Sequence, residues 1–174
     1  MGRVPKQNPD RTMSKEGRFI HDERLVNELR SKFNHPPAPQ PRHRGLARLI
    51  LWWKVNYPGV EILLAKLDVD SAFKLLWVAA KDACYFATEL PGSTLQLDHM
   101  VVALYLSLTF GWGGSPGNYA AFSWARVQYY QAAAPPWPLW HGDVPYHDKT
   151  LVDDTVLVEA RLGVRPEMSM WWAE

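Results

Sequence analysis

The sequence has a single cysteine, Cys84, among 174 residues. One cysteine can form neither an intrachain disulfide nor a zinc site built from several thiolates. It favours a reducing, intracellular setting, in the cytoplasm or the nucleus. The polar, basic N-terminus lacks the apolar core of a secretory signal. The apolar runs are short as well. Residues 100–110 are too few to span a membrane, and residues 71–87 are interrupted by charged side chains. The sequence therefore predicts no membrane partner.

The composition that is present is that of a folded domain, with 47% apolar and 21% charged residues and nine tryptophans. Charge is distributed unevenly along the chain. Residues 1–54 hold 12 Lys and Arg against 5 Asp and Glu, whereas acidic residues are in excess from residue 55 onward. This asymmetry suits an anionic substrate beside bound cations, and it equally suits two ordinary surfaces of opposite sign.

The spacing of apolar residues predicts helices and strands without a regular alternation of the two. Apolar positions in residues 46–57 follow a helical period, and Pro116 is placed to open a helix that runs to about residue 133. Predicted strands cover residues 18–20, 60–69, 84–90, 101–110 and the two flanks of Asp153 and Asp154. This mixture predicts an α+β fold with an antiparallel sheet and packed helices.

Two adjacent carboxylates, Asp153 and Asp154, lie between short apolar strands and are predicted to occupy a tight hairpin. Ionised carboxylates among buried strands are costly unless a cation compensates them, and oxygen ligands favour Mg²⁺ or Mn²⁺. The alternative is an Asp-Asp turn that faces solvent. Asp68, which ends another apolar strand, is a third carboxylate. If the two strands are neighbours, Asp68 and Asp153 form a metal-binding pair.

Four segments in this order resemble the reverse transcriptases of retroelements. Residues 66–73 (KLDVDSAF) resemble motif A, residues 108–116 (LTFGWGGSP) motif B and residues 151–154 (LVDD) motif C, while residues 18–27 are similar to the fingers segment. The steps of 43 residues from Asp68 to Gly111 and 42 from Gly111 to Asp153 suit a polymerase palm. Leu151 departs from the family, which usually has an aromatic residue at that position.

The resemblance implies an RNA-directed DNA polymerase that transfers nucleotides from dNTPs to a primer 3′-hydroxyl on an RNA or DNA template. Asp68, Asp153 and Asp154 would be the catalytic carboxylates, and the Val69 carbonyl would assist them in holding two Mg²⁺ or Mn²⁺ ions. Catalysis would then consist of positioning and charge neutralisation rather than covalent chemistry.

The resemblance also implies nucleotide and template contacts. Phe73 would exclude a ribose 2′-hydroxyl by its bulk and so select dNTPs. The residues implied to bind the nucleotide are Lys15, Arg18, Phe73, Phe110 and Gly111, and those implied to contact template or primer are Gly114, Ser115, Pro116 and Leu151. The alternatives are a core phenylalanine at position 73 and a solvated basic face at positions 15 and 18.

In domain terms the resemblance implies a lead-in over residues 1–14, partial fingers over 15–59 and a palm over 60–174. Only 16 residues follow Val158, so the thumb is expected to be absent, and it and a ribonuclease H domain would come from further domains or chains. Two alternatives stay open. One is a catalytically silent remnant that binds only nucleic acid or a partner; the other is an RNA-dependent RNA polymerase, against which Phe73 and the turn over residues 111–116 argue.

Overall fold

The computed structural model of the protein describes residues 2–135 and 144–174. Its helices are α1 (Arg24–Leu29), α2 (His43–Asn56), α3 (Ser115–Ala132) and α4 (Arg165–Ala173). Its strands are β1 (Gly2–Gln7), β2 (Met13–Ile20), β3 (Ile62–Asp68), β4 (Ala87–Leu90), β5 (Val101–Leu104), β6 (Asp148–Leu151) and β7 (Asp154–Ala160). The strands pair antiparallel. The structure is thus mixed helix and sheet, compatible with the predicted α+β class.

The chain divides into two compact units, each made of two separate stretches. The first unit comprises Met1–Pro36 and Ser71–Gly117, and the second comprises Pro37–Asp70 and Asn118–Glu174. The boundaries at residues 14 and 59 that the resemblance implied concern polymerase subdomains, and they stay a prediction.

The second unit is built on a three-stranded sheet in the order β3-β7-β6. Strand β7 is central in this sheet, and its two faces are both covered by other elements. Successive side chains of a strand point to opposite faces, so alternate residues of β7 pack into different clusters. Val158 and Ala160 pack with Trp53 of α2 on one face, while Leu157 packs with Tyr130 of α3 on the other. The Trp53 indole is fully buried and donates a hydrogen bond to the Val158 carbonyl over 2.9 Å. The predicted pairing of residues 60–68 with the strand after Asp153 is confirmed.

Helix α4 closes the second face of this sheet through a buried ion pair. Arg165, its first residue, lies with its Nε 2.5 Å from Glu159 Oε2 of β7, and both side chains are 3% exposed. The same guanidinium donates to the carbonyls of Val144 and Pro145. Trp172 packs into the cluster around Tyr130, although its neighbour Trp171 is exposed.

The first unit contains two small antiparallel sheets. Strands β1 and β2 form a hairpin where a lead-in without regular structure was expected over residues 1–14. Strands β4 and β5 pair, but both are shorter than predicted. Residues Ala80–Phe86 form a 3₁₀ helix rather than the start of a strand. Ala83 and Phe86, three residues apart, are both buried, and this spacing matches the three-residue turn of a 3₁₀ helix.

Within residues 2–135 and 144–174, the structure has no helix with the length and apolar character needed to cross a membrane.

Candidate active site

Three carboxylates gather at one end of the sheet of the second unit. Strands β3 and β7 pair so that Asp68, the last residue of β3, lies directly opposite Asp154, the first residue of β7. Asp153 precedes Asp154 in the turn between β6 and β7. Because directly opposite residues of an antiparallel pair share a face, the register sets Asp68 and Asp154 side by side. The residue directly opposite Asp68 is therefore Asp154, and Asp153, the partner that the sequence predicted, lies in the adjoining turn.

The turn that carries Asp153 has an unusual backbone. Leu151 pairs with Asp154, so Val152 and Asp153 form a two-residue hairpin loop. Val152 has a φ of 56°, a region that β-branched residues rarely enter. A positive φ at the first loop residue only is the sign of a type II′ turn, which usually has glycine at that position. Such outliers concentrate at functional sites, where the surrounding structure maintains the strain.

Charge around the carboxylates is only partly compensated. The Lys66 Nζ lies 2.9 Å from Asp154 Oδ1, and this contact, with further contributions from Asp68 and Asp153, raises the pKa of Lys66. Burial raises the pKa of the Tyr119 hydroxyl on α3; the Arg126 charge opposes this increase, whereas the charges of Asp153 and Asp68 add to it. Both carboxylates thus act on the same two neighbours. The three carboxylates and one ammonium leave the cluster with net negative charge.

A directed chain of hydrogen bonds fastens the β6–β7 hairpin to α3. Thr150 Oγ1 donates to Asp148 Oδ2 over 2.8 Å, so its proton is used and Thr155 Oγ1, 3.0 Å away, must donate to it. Thr155 in turn accepts from the Arg126 guanidinium. Gln131 of α3 donates to the second oxygen of Asp148 over 2.9 Å. This series of hydrogen bonds therefore runs from the Arg126 guanidinium to the buried Asp148 carboxylate. It crosses both strands next to the Asp153 turn.

The donor set suits a hard cation, since it consists of carboxylate and carbonyl oxygens. Among the described residues, no three His, Cys, Asp or Glu side chains are grouped so that they could hold a metal ion by themselves. Magnesium does not require such a group, because it is usually held by one or two carboxylates together with waters and substrate phosphates. That Asp68, Asp153 and the Val69 carbonyl hold the ions implied by the family resemblance stays a prediction.

In the first unit, the glycine-rich turn is held by an asparagine that sequence reasoning did not single out. The Asn27 side chain on α1 donates from Nδ2 to the Gly111 carbonyl over 2.9 Å and accepts at Oδ1 from the Gly113 N–H over 2.7 Å. One amide thus satisfies two backbone groups of the turn.

A second set of hydrogen bonds fixes the residues that flank the turn. Thr109 Oγ1 donates to the buried Glu23 over 2.9 Å, and Ser115 Oγ donates to the Thr109 carbonyl over 2.7 Å. Ser115 and Pro116 begin α3, as the sequence predicted for Pro116. Ser115 is 1% exposed.

Two glycines of this turn are required by the fold of the first unit. Gly111 has a φ of 113°, and a Cβ there would lie 3.0 Å from the His21 carbonyl oxygen. A Cβ at Gly114 would lie 2.5 Å from the Trp112 ring, which packs edge-on against Phe86. These contacts alone account for glycine at both positions. The expected approach of the backbone to a nucleotide stays a prediction.

The structure also brings together the two phenylalanines that were expected near the nucleotide. Phe73 is 8% exposed, and its ring centroid lies 4.9 Å from that of Phe110. Lys15 is exposed on β2. The side chain of Arg18 lies outside the described residues, although its backbone pairs with Val4. Phe73, Phe110 and Lys15 belong to the first unit, whereas the carboxylates belong to the second.

Several residues of the site carried no signal that sequence reasoning used. Lys66 lies two positions before Asp68 on the same strand, so its side chain shares the face of Asp68. That spacing could have identified it. Asn27, Tyr119 and Arg126 had no such signal, because each acts on residues distant in the chain.

No protein-family model matches the chain, and a search of curated proteins finds no match. The resemblance to reverse transcriptases therefore depends on the motif residues of the sequence.

Proposed function

We propose that the chain contains the fingers and palm core of a reverse transcriptase, which extends a primer 3′-hydroxyl with dNTPs on an RNA or DNA template. The observation that supports this most is the pairing of Asp68 with Asp154, beside Asp153 in a strained hairpin turn. Like charges directly opposite each other destabilise a sheet. The fold nevertheless keeps Asp68 and Asp154 opposite each other, with Lys66 as the ion-pair partner of Asp154. This arrangement supports a site that binds cations.

Two Mg²⁺ or Mn²⁺ ions, held by Asp68, Asp153 and the Val69 carbonyl, would supply activation of the primer hydroxyl and charge neutralisation at the leaving pyrophosphate. The chain itself contributes positioning. The hairpin presents Asp153, the hydrogen-bond chain through Thr155 fixes that hairpin to α3, and Lys66 orients Asp154.

Primer extension in the presence of Mg²⁺ tests this proposal, with dNTPs and rNTPs compared across a salt series. We expect dNTP incorporation that declines as the salt concentration rises, because affinity for primer-template comes chiefly from salt-sensitive phosphate contacts. Absence of incorporation from any nucleotide, with folded protein and intact oligonucleotide binding, would contradict the proposal.

Sugar selection gives a sharper test at Phe73. The change Phe73→Ala should improve rNTP use relative to dNTP use by about 10- to 200-fold, since only steric exclusion is removed. Phe86→Ala is the matched control, because Phe86 is a similarly buried ring of the same unit. That variant should lose stability with the rNTP:dNTP ratio unchanged. If Phe73→Ala loses dNTP use and gains no rNTP use, Phe73 is a core residue.

The second candidate is a protein that binds nucleic acid without catalysis. The ion pair between Lys66 and Asp154 favours it, because the chain supplies one cation of its own to the carboxylates. This candidate predicts no primer extension by the wild type and unchanged oligonucleotide binding in Asp153→Asn. The reverse transcriptase proposal predicts loss of extension with binding retained.

A further inference from the structure

One side of helix α2 carries basic residues that the carboxylate site does not use. Arg42 is the N-cap residue of α2 and Arg48 lies further along the helix, so the two precede and follow Gly45 by about one turn each. A Cβ at Gly45 would lie 3.4 Å from Lys149 Cε. The Lys149 side chain of β6 thus reaches the helix between the two arginines. Arg42, Arg48 and Lys149 are named the basic face below.

No acidic side chain of the same helix balances this charge. The sequence of α2, HRGLARLILWWKVN, contains no Asp or Glu. Arg42 and Arg48 are exposed, and Lys149 is half-buried. Among the described residues of the second unit, the ion pairs are made by Lys66, Arg161 and Arg165 instead. Three uncompensated like charges attract a polyanion and are stabilised by it.

A groove of about 260 Å³ lies beside the basic face. The chain segment before α2 forms one wall, with Pro39, Gln40 and Pro41, and Trp124 of α3 belongs to the other side. Trp124 is 57% exposed. Lys149 lines the groove as well and so connects it to the basic face. Asp148 also contributes to the lining, but its carboxylate is buried and accepts hydrogen bonds from Gln131 and Thr150.

We propose that the basic face and this groove bind a single strand of nucleic acid, with phosphates on Arg42, Arg48 and Lys149 and one base stacked on Trp124. A cationic groove with an exposed aromatic ring is the combination by which proteins bind single strands irrespective of sequence. A paired base inside a duplex has no free face to stack on Trp124.

The location of the groove connects it with the carboxylate site. Lys149 precedes Asp153 by four residues on the β6–β7 hairpin, which corresponds to no more than about 13 Å of extended chain. This part of the argument rests on the proposed function, under which the groove would hold unpaired template close to the site of nucleotide transfer.

The test is fluorescence anisotropy of a labelled single-stranded oligo(dT) and oligo(U) across a salt series, in EDTA. The double variant Arg42→Gln/Arg48→Gln should bind more weakly than the wild type. Its slope of log affinity against log salt should be smaller by about 1.4, which is about 0.7 for each lost phosphate contact. Lys54→Gln is the matched control. Lys54 is an exposed cation of the same helix and follows Gly45 by two and a half turns, so it lies on the opposite side.

A second variant separates stacking from charge. Trp124→Leu should lower affinity by about 5- to 150-fold while the salt slope stays unchanged, because a stacked base contributes no counterion release. Both arginines and Trp124 are exposed, so the urea midpoints of all variants should equal that of the wild type.

Three results would overturn the inference. One is a double variant with the same salt slope as Lys54→Gln. Another is a preference for duplex over single strand. The third is equal competition by polyglutamate or by phosphatidylserine vesicles, which would mark a general anion surface. Because binding is measured without metal, and also in Asp153→Asn, its outcome is independent of catalysis. Basic-face binding without any primer extension would reject the proposed function only.

Discussion

The two ends of strand β7 carry carboxylates in opposite environments. Asp154, at one end, lies opposite Asp68 and next to Asp153, is partly exposed, and has the Lys66 ammonium as its ion-pair partner. Glu159, near the other end, is 3% exposed and accepts from the Arg165 guanidinium and from the His147 N–H. The chain supplies the full set of partners to Glu159, whereas acidic groups outnumber cations around Asp154.

This difference follows from solvent access. A carboxylate in the core must be compensated by the protein itself, since leaving it alone costs several kcal/mol. Carboxylates at an exposed edge are stabilised by water and can later bind a cation from solution. The buried end of β7 therefore serves the fold, and the exposed end is the part of the strand available for chemistry.

The largest expected effect comes from breaking the buried end. Glu159→Leu leaves the Arg165 charge buried without its partner, so the free energy of unfolding should fall by about 3–5 kcal/mol. Urea unfolding at about pH 8 measures this. The double variant Glu159→Leu/Arg165→Met should recover part of the loss, because an apolar pair can replace a buried ion pair. A single variant as stable as the wild type would show that water reaches Glu159.

At the exposed end, Asp153→Asn should lower activity and leave stability nearly unchanged. Primer extension should fall by about 10²- to 10³-fold, the usual effect of removing one electrostatic group from a catalytic site. The free energy of unfolding should change by less than about 0.5 kcal/mol. Asp70→Asn is the control, since Asp70 is an exposed carboxylate just past the end of β3. Equal loss of extension in both variants would contradict a specific role for Asp153.

The strained turn at the exposed end allows a smaller test. Val152→Gly should stabilise the protein by about 0.5–1 kcal/mol, because glycine tolerates the positive φ that a β-branched residue does not. Val164→Gly is the matched control, since Val164 is exposed with a φ of −93°. That change should be neutral or destabilising. If both variants lose stability equally, as judged by urea midpoints, Val152 is not strained.

The smallest effect is expected from pH, because two groups at the buried end oppose each other. Burial lowers the pKa of His147 to about 4, so its stability contribution is lost as pH falls from about 6.5 toward 4. Burial raises the pKa of Glu159 to about 7, although Arg165 opposes this, so stability is lost as pH rises from about 4.5 to 7. The wild type should therefore vary little between these limits.

Replacing the histidine separates the two contributions. In His147→Gln only the Glu159 effect remains, and the urea midpoint should rise steadily as pH is lowered from about 7 to 4.5. A midpoint with the same pH dependence as the wild type would show that His147 does not titrate in this range.

Much of the second unit was predictable from local pattern. The apolar run that ends at Asp68 and the apolar run that follows Asp154 each predicted a buried strand, and their pairing is confirmed. The period of apolar residues predicted α2, and Pro116 predicted the start of α3. Whether the carboxylates hold metal ions, and whether Phe73 selects the sugar, stay predictions.

The first unit was less predictable because its elements are short. Residues 84–90 contain enough apolar side chains for a strand, yet Ala83 and Phe86 are buried by a 3₁₀ helix. Over so few residues, a period of two and a period of three are hard to distinguish. The β1–β2 hairpin was not predicted either, since it contains Pro5, which ordinarily interrupts a strand.

By itself, the sequence determined the type and approximate length of the main elements of the second unit and the positions of the carboxylates along them, since both follow from the spacing of neighbouring residues. Only the tertiary structure decided the partners. Thr155 and Arg126 are 29 residues apart, and Asn27 reaches Gly111 across 84 residues. Periodicity specifies which face of an element is buried, but not which distant side chain will meet it. The direction of the hydrogen-bond chain and the φ of Val152 likewise exist only once β6, β7 and α3 have packed.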